Sequence, residues 1–252
     1  MKTVSKLLSA LVITATTMSA NAEDFGKIES YHENIRPIES DGQIEVIVNA
    51  VTNSQGQIFL PAYEDGKVLS AVATKGILNS STAKVEKIHG RDVLVYQFKN
   101  ANAAVLLNQT LNVTKLYKEK KAKLKYSHPG GVKRVSYEFI NSSPVAIGKY
   151  VGSLGVPQGK ELYGVVLPEW SKKKKTFFIG EQDGYKTVDV VKKKLKPGSE
   201  VEFRIRTYQP AAAIKWTMWT LVILLSGALL WKRRDVLNDL DSASNAQKSV
   251  AN

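Results

Sequence analysis

Three histidines, no cysteine and three runs of lysine bound the chemistry open to this chain. His32, His89 and His128 stand far apart, and none is spaced from another histidine or from a carboxylate as a zinc motif requires. Without cysteine, a metal site would need distant histidine and carboxylate ligands. The Gly-x-Ser-x-Gly turn that exposes a nucleophilic serine does not occur. Gly152, Gly155, Gly159 and Gly164, with Lys160, form a glycine-bearing stretch that lacks the Gly-Lys-Ser/Thr ending of a phosphate loop, so it reads as a turn-rich connection. A Ser-His-Asp triad gathered from distant residues is the remaining enzymatic route and implies an envelope hydrolase. The leading expectation is a non-enzymatic protein with no cofactor and no metal site.

The positive signals concern binding. Lys118, Lys120, Lys121, Lys123 and Lys125 form one basic run. Lys172, Lys173, Lys174 and Lys175 form a second beside Trp170, and Lys192, Lys193, Lys194 and Lys196 a third. Clustered ammonium groups beside an aromatic ring suit an anionic glycan, an anionic lipid or an acidic partner. Trp170 and the lysines of the last two runs are therefore the candidate binding residues. The competing reading is that they keep strand edges from aggregating and the surface soluble. The charge is unevenly placed. Residues 23–112 hold 8 Lys+Arg and 11 Asp+Glu, a net of −3, whereas 113–210 hold 21 and 9, a net of +12. This split suggests an N-terminal β module at 23–112 and a basic β-sandwich module at 113–210.

The elements that must position these residues have a period of two. Ile44, Val46, Val48 and Ala50 alternate with Glu45, Ile47 and Asn49. Val135, Tyr137 and Phe139 alternate with Arg134, Ser136 and Glu138, and Val201, Phe203 and Ile205 with Glu202, Arg204 and Arg206. Such runs are half-buried strands, apolar inward. Residues 93–98 and 163–167 alternate less and read as central strands. Residues 78–87 fit a short helix or a strand. Asp41-Gly42, Asp65-Gly66, His89-Gly90, Asp183-Gly184 and Pro197-Gly198 punctuate the runs as turns. Many short strands at this spacing predict an all-β exported ectodomain of one or two Ig-like β-sandwiches.

Two further segments predict location. Residues 1–22 show a basic start, a short apolar run and the small-residue site Ala20-Asn21-Ala22, as in a cleaved secretory signal peptide. Residues 211–231 form a largely apolar run whose only charge is Lys215, with Trp216, Trp219 and Trp231 near the ends and Lys232, Arg233 and Arg234 following. That pattern predicts a single C-terminal transmembrane α-helix anchored by those residues, with 232–252 as a short cytoplasmic tail. Ser226-Gly227-Ala228 offers a small-residue patch where another helix could approach. Together these features predict a single-pass protein of a bacterial inner membrane with a periplasmic ectodomain. Its expected job is to bind a protein partner as an accessory or scaffold subunit. The alternative is binding of anionic envelope glycan or lipid through the basic half. Nucleic acid is not expected as a partner.

Overall fold

The computed structural model describes residues 23–38, 41–122, 131–169, 175–182, 184–210 and 212–233. The expected signal peptide at 1–22 lies outside them, as do Trp170, Lys172, Lys173, Lys174, Arg234 and the remaining tail. Among the described residues the chain is nearly all β, with three sheets and one C-terminal helix.

The largest sheet is built around β1 (Lys27–Ile38), which pairs antiparallel with β2 (Asp41–Val51) and parallel with β10 (Ile147–Gly155). Beyond β2 follow β7 (Ala104–Val113) and β4 (Gly66–Lys75). Beyond β10 follow β13 (Tyr185–Leu195) and β12 (Phe178–Gln182), making seven strands. A four-stranded sheet runs β11 (Glu161–Leu167), β14 (Glu200–Tyr208), β9 (Val132–Ile140), β8 (Lys118–Lys121). A three-stranded sheet runs β3 (Gln57–Pro61), β6 (Arg91–Gln97), β5 (Lys84–Ile88).

Alternation decides what each strand buries. Ile44, Val46 and Val48 of β2 point into the core, as do Val135, Tyr137 and Phe139 of β9 and Val201, Phe203 and Ile205 of β14. Each aliphatic or phenyl group removed from water contributes roughly 1.5–3 kcal/mol. The three-stranded sheet adds Ile58, Leu60, Leu94 and Tyr96 to the same core. Its other face carries Phe59, Val93 and Val95 against Phe25 and Ile88. Hence β6 is buried on both sides, which explains its continuous apolar run. Strands from 23–112 and from 113–210 share both the seven-stranded sheet and this core.

Local expectations resolve in both directions. The run at 163–167 belongs to β11, which is an edge strand and only half-buried. In 78–87, Leu78 bridges Phe98 and the strand begins at Lys84. His89 and Gly90 form the two-residue loop between β5 and β6 with φ of 49° and 76°, as a type I′ hairpin needs. Asp41-Gly42 opens β2 instead of turning.

Two larger expectations are corrected. The Ig-like sandwich is replaced: an Ig domain pairs two antiparallel sheets, whereas here a parallel β1–β10 pair lies inside a mixed seven-stranded sheet and a third sheet is added. The transmembrane span is overturned as well. Among the described residues no helix is long and apolar enough to cross a membrane. The helix α1 covers Ala212–Lys232. With the span go the single-pass inner-membrane location, the periplasmic ectodomain, the cytoplasmic tail, and the anchoring roles of Lys215, Trp216, Trp219, Trp231, Lys232, Arg233 and Arg234.

The facing of β14 gives a direct test. Phe203 is fully buried, so Phe203→Ala should lower stability in a urea titration by roughly 3–5 kcal/mol. Glu202 points outward, where it pairs with Arg204 but opposes Glu138. Glu202→Ala removes one favourable and one unfavourable contact and should change stability by under about 0.5 kcal/mol. The reverse ranking would mean that β14 faces the other way.

Candidate binding surfaces and a buried carboxylate

In β1 the inward positions read Tyr31, Glu33, Ile35, and Glu33 is only 2% exposed. Its carboxylate is not left bare. The hydroxyl of Tyr63, in the link between β3 and β4, donates to Oε2 at 2.5 Å. Tyr150 of β10 donates to Oε1 at 2.5 Å, and Tyr137 of β9 donates to Oε1 at 3.1 Å. Tyr31 extends the network, its hydroxyl 2.8 Å from that of Tyr63. Three donors suit an ionised carboxylate, which only accepts. Burial opposes that charge and raises the Glu33 pKa from 4.5 to about 7, against the lowering effect of the three hydroxyls. Gly152 stands opposite Glu33 in the β1–β10 register. A Cβ there would sit 2.4 Å from the Tyr150 hydroxyl and 2.8 Å from Phe203 Cζ. The absent side chain is what lets Tyr150 reach the carboxylate.

This cluster is enclosed. An open cleft of about 710 Å³ touches Tyr63 and Tyr137 from outside, but Glu33 does not line it. Glu33 therefore joins the sheets and is not presented to a substrate. His32, on the opposite face of β1, is half-buried, and burial followed by the nearby Lys149 charge pushes its pKa down. His89 Nε2 lies 3.8 Å from Glu23 in an exposed turn.

The expected lysine surface is reached only in part. Lys192, Lys193 and Lys194 are exposed on β13, with Lys193 opposite Lys149 of β10, and Lys196 follows the strand. Lys175 is exposed just before β12, its Nζ 5.6 Å above the Phe178 ring. Since β12 runs antiparallel to β13 with Phe178 opposite Asp189, Lys175 lies toward the end of β13 that carries Lys192. Trp170, Lys172, Lys173 and Lys174 are outside the described residues.

A second basic surface escapes sequence reading. On the outer face of the four-stranded sheet, Lys120 of β8 opposes Arg134 of β9, which opposes Arg206 of β14. The next row is Lys118, Ser136, Arg204, and the row after it pairs Glu138 with Glu202. Among the described residues, Lys120, Arg134 and Arg206 have no ion-pair or side-chain hydrogen-bond partner, whereas Arg204 bonds Glu202. Burial, followed by the nearby Glu200 and Glu202, pushes the Glu138 pKa up. The charges are thus sorted into a basic and an acidic end of one face. Each residue was visible in the sequence, but only the strand register sets them side by side.

The remaining surface is α1. Its apolar side chains are exposed from Trp216 to Trp231, including Trp219, Ile223, Leu224 and Leu230. A Cβ at Gly227 would meet nothing within 4 Å, so the Ser226-Gly227-Ala228 notch is open.

No family model and no curated protein matches this chain. Among solved structures, it is similar to a mutant M1 zinc metallopeptidase from Deinococcus radiodurans bound to a Tyr-Ser-Ala substrate, at 12% identity and a TM-score of 0.38. That match covers 73% of this chain and 42% of the metallopeptidase.

The Glu33 cluster predicts a pH signature. Its folded pKa, about 7, lies above the ordinary 4.5, so the folded chain holds a proton that the unfolded chain has lost. Its contribution to stability is complete below about pH 4.5 and declines as pH rises to about 7. Glu33→Gln should flatten this part of a stability-versus-pH curve measured by denaturant titration. Glu33→Ala should instead cost at least about 3 kcal/mol, because three tyrosine hydroxyls lose their acceptor at about 1–3 kcal/mol each. An unchanged slope in Glu33→Gln would refute the assignment.

Proposed function

We propose that the chain is a non-catalytic binding subunit that holds a protein partner through α1. The observation that carries this is the exposure of apolar side chains along the helix from Trp216 to Trp231. A helix apolar all round is stable when something covers it, and an exposed apolar surface of this extent marks an interaction site. The notch at Gly227 suits a partner helix, because a small residue at the crossing lets two helix axes come closer. The β body supplies a rigid platform, and binding through α1 raises the effective concentration of anything the body contacts. A second reading, recognition of an anionic glycan or lipid by the basic half, draws support from Lys192, Lys193 and Lys194, which have no carboxylate partner among the described residues.

Affinity purification of the full chain beside a chain ending at Pro210 tests the first reading. A stoichiometric protein partner should accompany the full chain and be lost from the shortened one. Gly227→Leu should weaken that association at least tenfold while leaving the melting temperature of the β body unchanged. Partner retention by the shortened chain, or retention only of anionic glycan or lipid, would reject the α1 reading.

A further inference from the structure

We propose that the outer face of β8, β9 and β14 docks an α-helix of a protein partner, one that presents carboxylates at three- and four-residue spacing. The starting point is the row Lys120, Arg134, Arg206. Directly opposed residues on neighbouring strands have Cβ atoms roughly 4.5–5.5 Å apart, and like charges so placed are destabilising. Here three cations stand in line without a described carboxylate partner. Folding gains nothing from this row, so an anion that lies along it gains what the fold lacks.

The spacing selects the partner's geometry. Residues three or four apart on a helix have Cβ atoms roughly 5–6 Å apart, close to the strand-to-strand step of the row. Same-face residues of an extended peptide recur roughly every 6.6 Å and fall out of step by the third position. The second row, Lys118 and Arg204 about Ser136, lies one same-face step along the strands. A helix roughly 10–12 Å across, with its axis along the rows, covers both. Arg134, Arg204 and Arg206 are half-buried, which restricts guanidinium groups able to grip a carboxylate with two parallel hydrogen bonds. Beyond Arg206 the row meets Gly164, where a Cβ would find nothing within 4 Å, so a helix can run past that end.

The acidic row decides between a helix and a plain polyanion. Glu138 and Glu202 lie on the same face, one step past Lys118 and Arg204. A uniformly anionic polymer that spreads over the face meets their repulsion. A helix with an acidic stripe flanked by lysines satisfies both ends. The inference rests on the four-stranded sheet alone and stands whether or not α1 holds a partner.

The test uses the full chain and a synthetic helical peptide with glutamates at i, i+4, i+7 and i+11 and lysines on the adjoining flank. Controls are a peptide of the same composition with the glutamates scattered around the helix, and a sulfated polysaccharide. The striped peptide should bind at low salt at least tenfold more tightly than the scattered one. The double substitution Arg134→Gln with Arg206→Gln should weaken it at least tenfold and leave the melting temperature equal or higher. Lys193→Gln, on the other sheet, should change binding less than twofold. Equal binding of the two peptides, tighter binding of the polysaccharide, or equal losses from Lys193→Gln and the ladder substitutions would each overturn the proposal.

Discussion

A carboxylate bonded by three tyrosines holds the layers of this protein together. Glu33 comes from the middle strand of the seven-stranded sheet, Tyr150 from its parallel neighbour, Tyr137 from the facing sheet and Tyr63 from the link between β3 and β4. Burying one ionised group alone is prohibitive, and what makes it tolerable is a set of donors that all arrive together. The donors lie between 30 and 117 residues away in sequence. Any arrangement that brings the sheets together at another distance or offset strands the charge. The cluster therefore acts less as a source of stability than as a selector of one packing among several that would bury the same apolar area.

Around it, aromatic rings fill the space that aliphatic groups fill elsewhere. Phe139 stacks on Tyr150 with ring centroids 4.6 Å apart, Tyr31 lies 5.4 Å from Phe139, and Phe203 lies 5.8 Å from Tyr137. Tyrosine serves both demands of the site, an apolar body for the core and a hydroxyl for the carboxylate. A core assembled this way has no room for lysine or arginine, and alternation sends Lys120, Arg134, Arg204 and Arg206 to the other face of their sheet.

What the sequence made legible follows from this division. The inward faces of β2, β9 and β14 were readable because Ile44, Tyr137 and Phe203 each sit in an unbroken alternation. Glu33 was not, because a glutamate at an inward position looks like a break in the pattern. Its meaning lies in tyrosines from three other segments. The β1–β10 pairing was equally hidden, since parallel partners need no turn between them to announce the contact. The cation row was unreadable for a different reason. Arg134 and Arg206 are visible as outward residues, but which residue opposes which is a property of register. At 211–231 the sequence pattern predicts a span, whereas among the described residues no helix is long and apolar enough to cross a membrane; hydropathy says that a segment avoids water and does not say what covers it.

The register between β9 and β14 shows how these constraints compete. A one-residue slip would separate Arg134 from Arg206 but turn Val201, Phe203 and Ile205 outward and bury arginines, so the core forbids it. A two-residue slip is subtler. It keeps every side chain on its present face, and in one direction it would set Arg204 opposite Glu138 and Arg206 opposite Ser136, dissolving both like-charged rows. Surface electrostatics alone would favour it. What opposes it is the pairing of Phe203 with Tyr137, whose ring packs on Phe203 while its hydroxyl reaches Glu33. Sliding β9 by two residues moves that hydroxyl about 6.8 Å along the strand, out of reach of the carboxylate. A buried hydrogen-bonded charge outweighs a handful of exposed repulsions, which are screened by water and salt. The inner cluster thus sets the register, and the register leaves the outer cations aligned and unneutralised. Neutral residues at 134 and 206 would meet the demands of the fold equally well, so the fold alone does not account for the charges there.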